Sequence, residues 1–129
     1  MMTKEEKESV IASAKFLEEK GYNLKEFDGE SAVYFGNDRQ ILVDFGSRGE
    51  GSSVSVRFIK ENDVFDLGWI AFIRDGVKLA PGKTKDNLVA LLVYLRDHYH
   101  EAADFRLCKE SAQTVNAYLK EKISNKGKG

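Results

Sequence analysis

The chain has 129 residues, 42% apolar and 32% charged, with 20 Lys and Arg against 21 Asp and Glu for a formal net charge of −1. That length fits one domain, which buries roughly two-thirds of its unfolded surface on folding, and the composition belongs to a folded chain rather than a disordered one. The balanced charge leaves no global field for nucleic acid or acidic membranes, and the single cysteine, Cys108, excludes an internal disulfide and a multi-cysteine zinc site.

Thr3 and Glu6 have the spacing of a capping box ahead of a helical pattern in which Val10, Ala14 and Leu17, flanked by Ile11, form one apolar stripe. Gly21 is placed to end that first helix, because glycine enters the left-handed region without steric cost. From Asn23 to Arg74 the apolar period changes to two. Turn-forming clusters interrupt it at Asp28-Gly29, Gly36 to Asp38, Gly46 to Gly51 and Glu61 to Asp63. The pattern predicts five strands joined by hairpins, and such short connections require antiparallel neighbours.

After Arg74 comes the loop "DGVKLAPGK" with the only proline, Pro81, and Thr84 stands where it can cap a second helix carrying Leu88, Leu91, Leu92, Leu95 and Tyr99. A third helix is predicted from Phe105 to about Ile123; Cys108, Ala112, Val115 and Leu119 share one stripe of it, which makes Cys108 a core residue. The tail "SNKGKG", residues 124–129, is expected to be disordered. The sequence thus predicts a single α+β domain over 1–123: a helix, a five-stranded antiparallel meander, then two C-terminal helices packed on the sheet. The longest apolar run, Leu88 to Leu95, is far short of the ~20 residues that span a bilayer, and "MMTKEEKESV" lacks a signal-peptide core, so a cytoplasmic protein is expected.

The hairpins imply a register. Setting Phe45 opposite Val54 brings Val43 to Val56 and Ile41 to Phe58; closing the next turn at Glu61-Asn62 sets Phe58 against Phe65, Val56 against Leu67 and Val54 against Trp69. Tyr34 then meets Ile41 and Ala32 meets Val43, all on one core face. The opposite face carries Val33, Phe35, Leu42, Asp44, Ser55, Arg57, Asp66, Gly68, Ile70 and Phe72, with Arg57 opposite Asp66 and Asp44 diagonal to it. An apolar cluster rimmed by charge is what a protein-binding surface looks like where no helix covers it. The candidate partner-binding residues are therefore Phe35, Leu42, Asp44, Arg57, Asp66 and Phe72.

"DFGSRGEGSSVSVRF" resembles a phosphate-binding glycine loop in composition, but such loops lead into a helix, whereas Ser53 to Phe58 alternate as a strand. Its spacing also fits neither phosphate-loop pattern. In "RDHYHEAAD", His98 and His100 point ~200° apart on a helix, unlike the i, i+4 pairs that bind zinc, so a solvated helix end with histidines beside acids is expected. No Gly-x-Ser-x-Gly elbow or paired carboxylate stands out, and no cofactor is expected. Tyr34, Phe35, Phe58 and Phe72 do not form an RNA-binding sheet, since strands and helices do not alternate. Trp69 is expected in the core, with Gly68 marking a bulge.

The segments "VYFGNDRQILVDF", "SVSVRFIKENDVFDLGWIAFIR" and "LLVYLRDHYHEAADFRLCKES" together resemble a group of small bacterial α+β proteins, some of which are similar to immunity proteins of toxin systems. The resemblance covers most of the chain and implies an inhibitor that binds one toxin domain and catalyses nothing. The expected function is thus a non-catalytic protein-binding module whose partner is another protein or a second copy of the chain, with no nucleic acid and no membrane. The alternative is a small-ligand binder or enzyme with a pocket between sheet and helices, near Trp69, Tyr99 and the histidines.

Overall fold

A computed structural model describes residues 2–46 and 51–127, with side chains as far as Ile123. The chain forms α1 (Lys4–Ser13), α2 (Phe16–Glu19), β1 (Asn23–Phe27), β2 (Ser31–Phe35), β3 (Arg39–Asp44), β4 (Ser53–Phe58), β5 (Asp63–Asp66), α3 (Leu67–Asp75), α4 (Thr84–Asp97), α5 (Tyr99–Ala102) and α6 (Phe105–Gly127). The five strands make one antiparallel sheet in the order β1-β2-β3-β4-β5. This is the meander that the short connections demanded, in an α+β arrangement.

The N-terminal helix begins on the expected box: Glu6 N–H donates to Thr3 Oγ1 at 3.1 Å and Thr3 N–H to Glu6 Oε1 at 3.0 Å. It does not run unbroken to Gly21. Ser9 and Ser13 hydroxyls donate back to the carbonyls four residues earlier, a bond that competes with regular helix, and the chain leaves the helix at Ala14 before resuming as α2. Gly21 then turns with φ of +90°, in the left-handed region.

The β2–β3 register is the expected one, Tyr34 with Ile41 and Ala32 with Val43. The next two pairings are displaced by two residues: Val43 faces Val54, Ile41 faces Val56 and Val56 faces Phe65. An even displacement leaves every side chain on its own face, so the core face survives the error. The β4–β5 turn accounts for one of the displacements. It uses four residues, Ile59 to Asn62, closed by Asn62 N–H on Ile59 O at 3.2 Å with Asn62 at φ 55°, rather than the two-residue turn assumed. Residues 47–50 of the glycine-rich connection lie outside the described residues, but Asp44 pairs with Ser53, so a strand follows it.

The larger correction concerns Leu67 to Asp75, read from the sequence as the end of a strand and found as α3. The Asp66 carboxylate accepts from the backbone N–H of Gly68 at 2.7 Å and of Trp69 at 3.4 Å, which satisfies helical donors and starts a helix. Leu67, Ile70 and Ala71 then bury at i, i+3, i+4 spacing, and Gly76, φ 68°, ends the helix. Gly68 is therefore a first-turn residue and not a bulge. A Cβ there would meet the capping carboxylate at 3.0 Å.

All the helices gather on one side. Ala32, Tyr34, Ile41, Val43, Val54, Val56, Phe58 and Phe65 are buried beneath Val10, Leu17, Leu67, Ile70, Leu88, Leu92, Leu95 and Cys108. Cys108 is fully buried and donates to Ala102 O at 3.2 Å, the core role expected of it. Thr84 opens α4 without capping it; the turn before it is held by Asn87, whose side chain exchanges hydrogen bonds with Ala80 N–H and C=O at 3.0 and 2.9 Å. The expected tail begins inside α6, whose backbone continues to Gly127, and its last two residues lie outside the described residues. No described helix is long and apolar enough to cross a membrane.

Candidate partner-binding surface

Because side chains alternate along a strand, burying Ile41, Val43, Val54 and Val56 turns Gln40, Leu42, Asp44, Ser55 and Arg57 to the other side. Among the described residues, every ring contact or ion pair that ties a helix to the sheet falls on the inner side: Phe105 against Phe58 and Phe65, at 5.3 and 6.0 Å between ring centroids, and Lys109 with Asp63 at 3.4 Å. The outer face is left uncovered among the described residues. Its centre is apolar, formed by half-buried Phe35 and Leu42 around Val33, which is 8% exposed, and Val64 towards the β5 edge is 54% exposed. Gln40, Asp44, Arg57 and Asp66 surround them with polar groups.

The six candidate residues divide. Phe35, Leu42, Asp44 and Arg57 stand together on this face. Asp66 lies at its corner, paired with Ser55, and its carboxylate is committed to capping α3. Phe72 is not on the sheet: it belongs to α3 and packs against Trp69 and Tyr118. The expected Arg57–Asp66 ion pair does not form, since the two-residue displacement sets Arg57 beside Val64. The Asp44 carboxylate accepts from Gly46 N–H at 2.8 Å and shapes the turn instead.

At the corner occupied by Asp66 the open face adjoins a groove of about 530 Å³ between α3, α6 and the loop after α3. The sequence reading missed it, having placed Trp69 on the core face opposite Val54; on α3 its indole is 39% exposed and lines the groove with Phe72, Leu79 and Tyr118. The signal that was available was the 3.6-residue spacing of Leu67, Ile70 and Ala71 after an aspartate.

Among the described residues Trp69 stands apart from Tyr99 and the histidines: Trp69 lines the α3–α6 groove, and His98 lines a separate cavity of about 480 Å³ with Arg74, Asp75 and Glu101. Tyr99 shares a hydrogen bond with Tyr22, hydroxyl to hydroxyl at 2.9 Å, and burial followed by that bond pushes the Tyr22 phenol above its ordinary pKa. His98 stacks on Tyr94 with 4.5 Å between centroids and places Nδ1 3.4 Å from Glu101 Oε2, a solvated helix end of the expected kind. No three His, Cys, Asp or Glu side chains converge as metal ligands among the described residues. Burial, then the Asp104 charge, pushes the Cys108 thiol up to about 12, far from a nucleophile's range. Comparison of the chain with protein-family models, with curated proteins and with solved structures finds no match.

Proposed function

We propose that the chain is a non-catalytic protein-binding module that engages its partner through the open face of its sheet. The observation that carries this reading is an apolar centre on the helix-free side of the sheet, half-buried Phe35 and Leu42 beside Val33, which its neighbours on that face bury to 8% exposure, within a polar surround of Gln40, Asp44 and Arg57. An apolar centre within a polar rim is the anatomy of a recognition surface, and a domain with no further use for a sheet face covers it or makes it polar. The resemblance to immunity proteins names the partner class as a toxin domain, with Arg57 and Asp44 supplying complementary charge at the rim.

Photo-crosslinking tests this. A benzophenone side chain is placed at Leu42, at Phe35 and, as a control on the helical side, at Lys15, and the cells that make the protein are irradiated. The reading expects one adduct of the same mass from Leu42 and Phe35 and none from Lys15. Adducts at twice the chain mass would replace a foreign partner with a second copy. Absence of any adduct from the sheet positions, or the same adducts from all three, would reject the face as a binding surface.

A further inference from the structure

We infer that the groove between α3 and α6 is a second binding site, for an acidic peptide segment that inserts an apolar side chain among Trp69, Phe72, Leu79 and Tyr118 and sets its carboxylates against Lys78 and Lys122. The site is separate from the central sheet face and stands or falls without it.

Among the described residues, eight large apolar side chains are exposed, and three of them, Trp69, Leu79 and Leu119 at 39%, 39% and 37%, line this one groove. Scattered exposed apolar residues need no explanation, whereas a cluster does. The rings form an ordered wall: Trp69 meets Phe72 at 6.0 Å and Tyr118 at 6.4 Å, and Phe72 meets Tyr118 at 5.7 Å. Contacts of that kind fix the rings without help from an occupant. The volume, about 530 Å³, suits one or two side chains of a peptide, and the groove is open to the surface.

Charge selects the occupant. The groove is lined by two lysines, and Lys122 Nζ lies 5.1 Å from the centroid of the Tyr118 ring. Among the described residues neither Lys78 nor Lys122 has a carboxylate partner, as is true of most of the chain's surface lysines; what sets these two apart is that both line an apolar groove. The one carboxylate in the lining, Asp66, is held by the N–H groups of Gly68 and Trp69. A ligand bringing carboxylates beside an apolar anchor supplies what this wall lacks, and a cationic ligand would meet like charge.

Trp69 is the only tryptophan, so its emission reports on the groove alone. The full chain is titrated with the peptide Glu-Glu-Leu-Phe-Glu-Glu, with its counterpart carrying Lys for Glu, and with one carrying Ser for Leu and Phe. The proposal expects a saturable shift of emission to shorter wavelength with the acidic peptide and at least ~10-fold weaker binding of both others, a factor worth ~1.4 kcal/mol. A tenfold rise in salt should weaken the acidic peptide further. The double variant Lys78→Glu with Lys122→Glu, confined to surface side chains, should invert the preference between the charged peptides. Equal binding of acidic and basic peptides overturns the proposal, as does an unchanged emission at millimolar peptide while circular dichroism shows the chain folded. A shift that grows with protein concentration alone would assign the groove to a second copy, and a small aromatic carboxylate binding as tightly as the peptide would assign it to free anions.

Discussion

Two triads of aromatic rings hold α6 against the rest of the molecule, and they differ in a way that separates core from surface. Phe58, Phe65 and Phe105 meet at 5.3 to 6.0 Å, and Trp69, Phe72 and Tyr118 at 5.7 to 6.4 Å, five of the six contacts edge-to-face and the sixth tilted. Ring geometry is therefore no guide to function. Both triads also carry cations, Arg39 and Lys109 at the first and Lys122 at the second. At the first, Lys109 reaches Asp63 at 3.4 Å and Arg39 reaches Asp38 at 3.9 Å; at the second, Lys122 has no acid among the described residues. The first triad has an acid within reach of each of its cations, although the Arg39 Nε is buried without a hydrogen-bond partner. The exposed one has apolar surface and positive charge left over.

The largest expected effect tests that contrast directly. Phe58→Ala, at a site 3% exposed with two ring partners, should cost ~3–5 kcal/mol, transfer and cavity contributions together. Trp69→Ala removes a larger ring, yet one partly in water already, and should cost only ~1–2 kcal/mol. Urea unfolding followed by far-ultraviolet circular dichroism measures both. Equal costs would show that the second triad is core after all.

The helix-covered side should also be the alkali-sensitive one. Burial and then Asp104 push the Cys108 thiol up to about 12, and burial and then Glu18 push the Tyr34 phenol to about 12. Unfolded, these groups titrate near ~8.5 and ~10. Between those values and about 12 the folded chain holds protons that the unfolded chain releases, so stability falls as pH rises. The contribution is whole below the unfolded values and lost on approach to the folded ones, an effect on the order of one to a few kcal/mol. Urea midpoints from neutral pH to pH ~11 should decline, and Cys108→Ala should flatten the earlier part of the decline near the unfolded thiol value. An unchanged slope in that variant would remove the thiol from the account.

Third comes the cap that made the sequence reading fail. Asp66→Ala should cost about 1 kcal/mol by removing the carboxylate that accepts from two N–H donors of α3, and Asp66→Asn, which caps as well, should restore most of it. The restoration matters because Asp66 was chosen from the sequence as a partner contact. A loss in Asn as large as in Ala would show that its charge, and not its acceptor geometry, holds the start of α3.

That residue also shows why the fold was legible and part of the site was not. The order of elements follows from periodicity and turn chemistry, both local, and the inner face was found in spite of two displaced registers because a displacement of two preserves facing. "DLGWIAFIR" satisfies period two and period 3.6 at once: Leu67 and Trp69 alternate, but Leu67, Ile70 and Ala71 also share a helical stripe. The choice was made by Asp66 offering its carboxylate to two backbone donors, a bond that no hydropathy pattern records. Four of the six candidate residues then stayed together on the open face, and Phe72 left with its helix. The groove was beyond reach because α3 and α6 are brought together only by the tertiary fold.

The smallest expected effect bears most directly on the open face. Arg57 alternates with Val56, which is fully buried, yet it faces Val64 and has no ion-pair partner among the described residues. Arg57→Glu should therefore change stability by no more than ~0.5 kcal/mol, as substitutions away from packing and paired charge do. Such a silent substitution is what makes it useful, because any loss of a cross-linked partner in this variant then reports on recognition and not on folding. A cost above ~1 kcal/mol would mean that the arginine's stem packs against something on the outer face, and with it the premise that this face is free for a partner would fail.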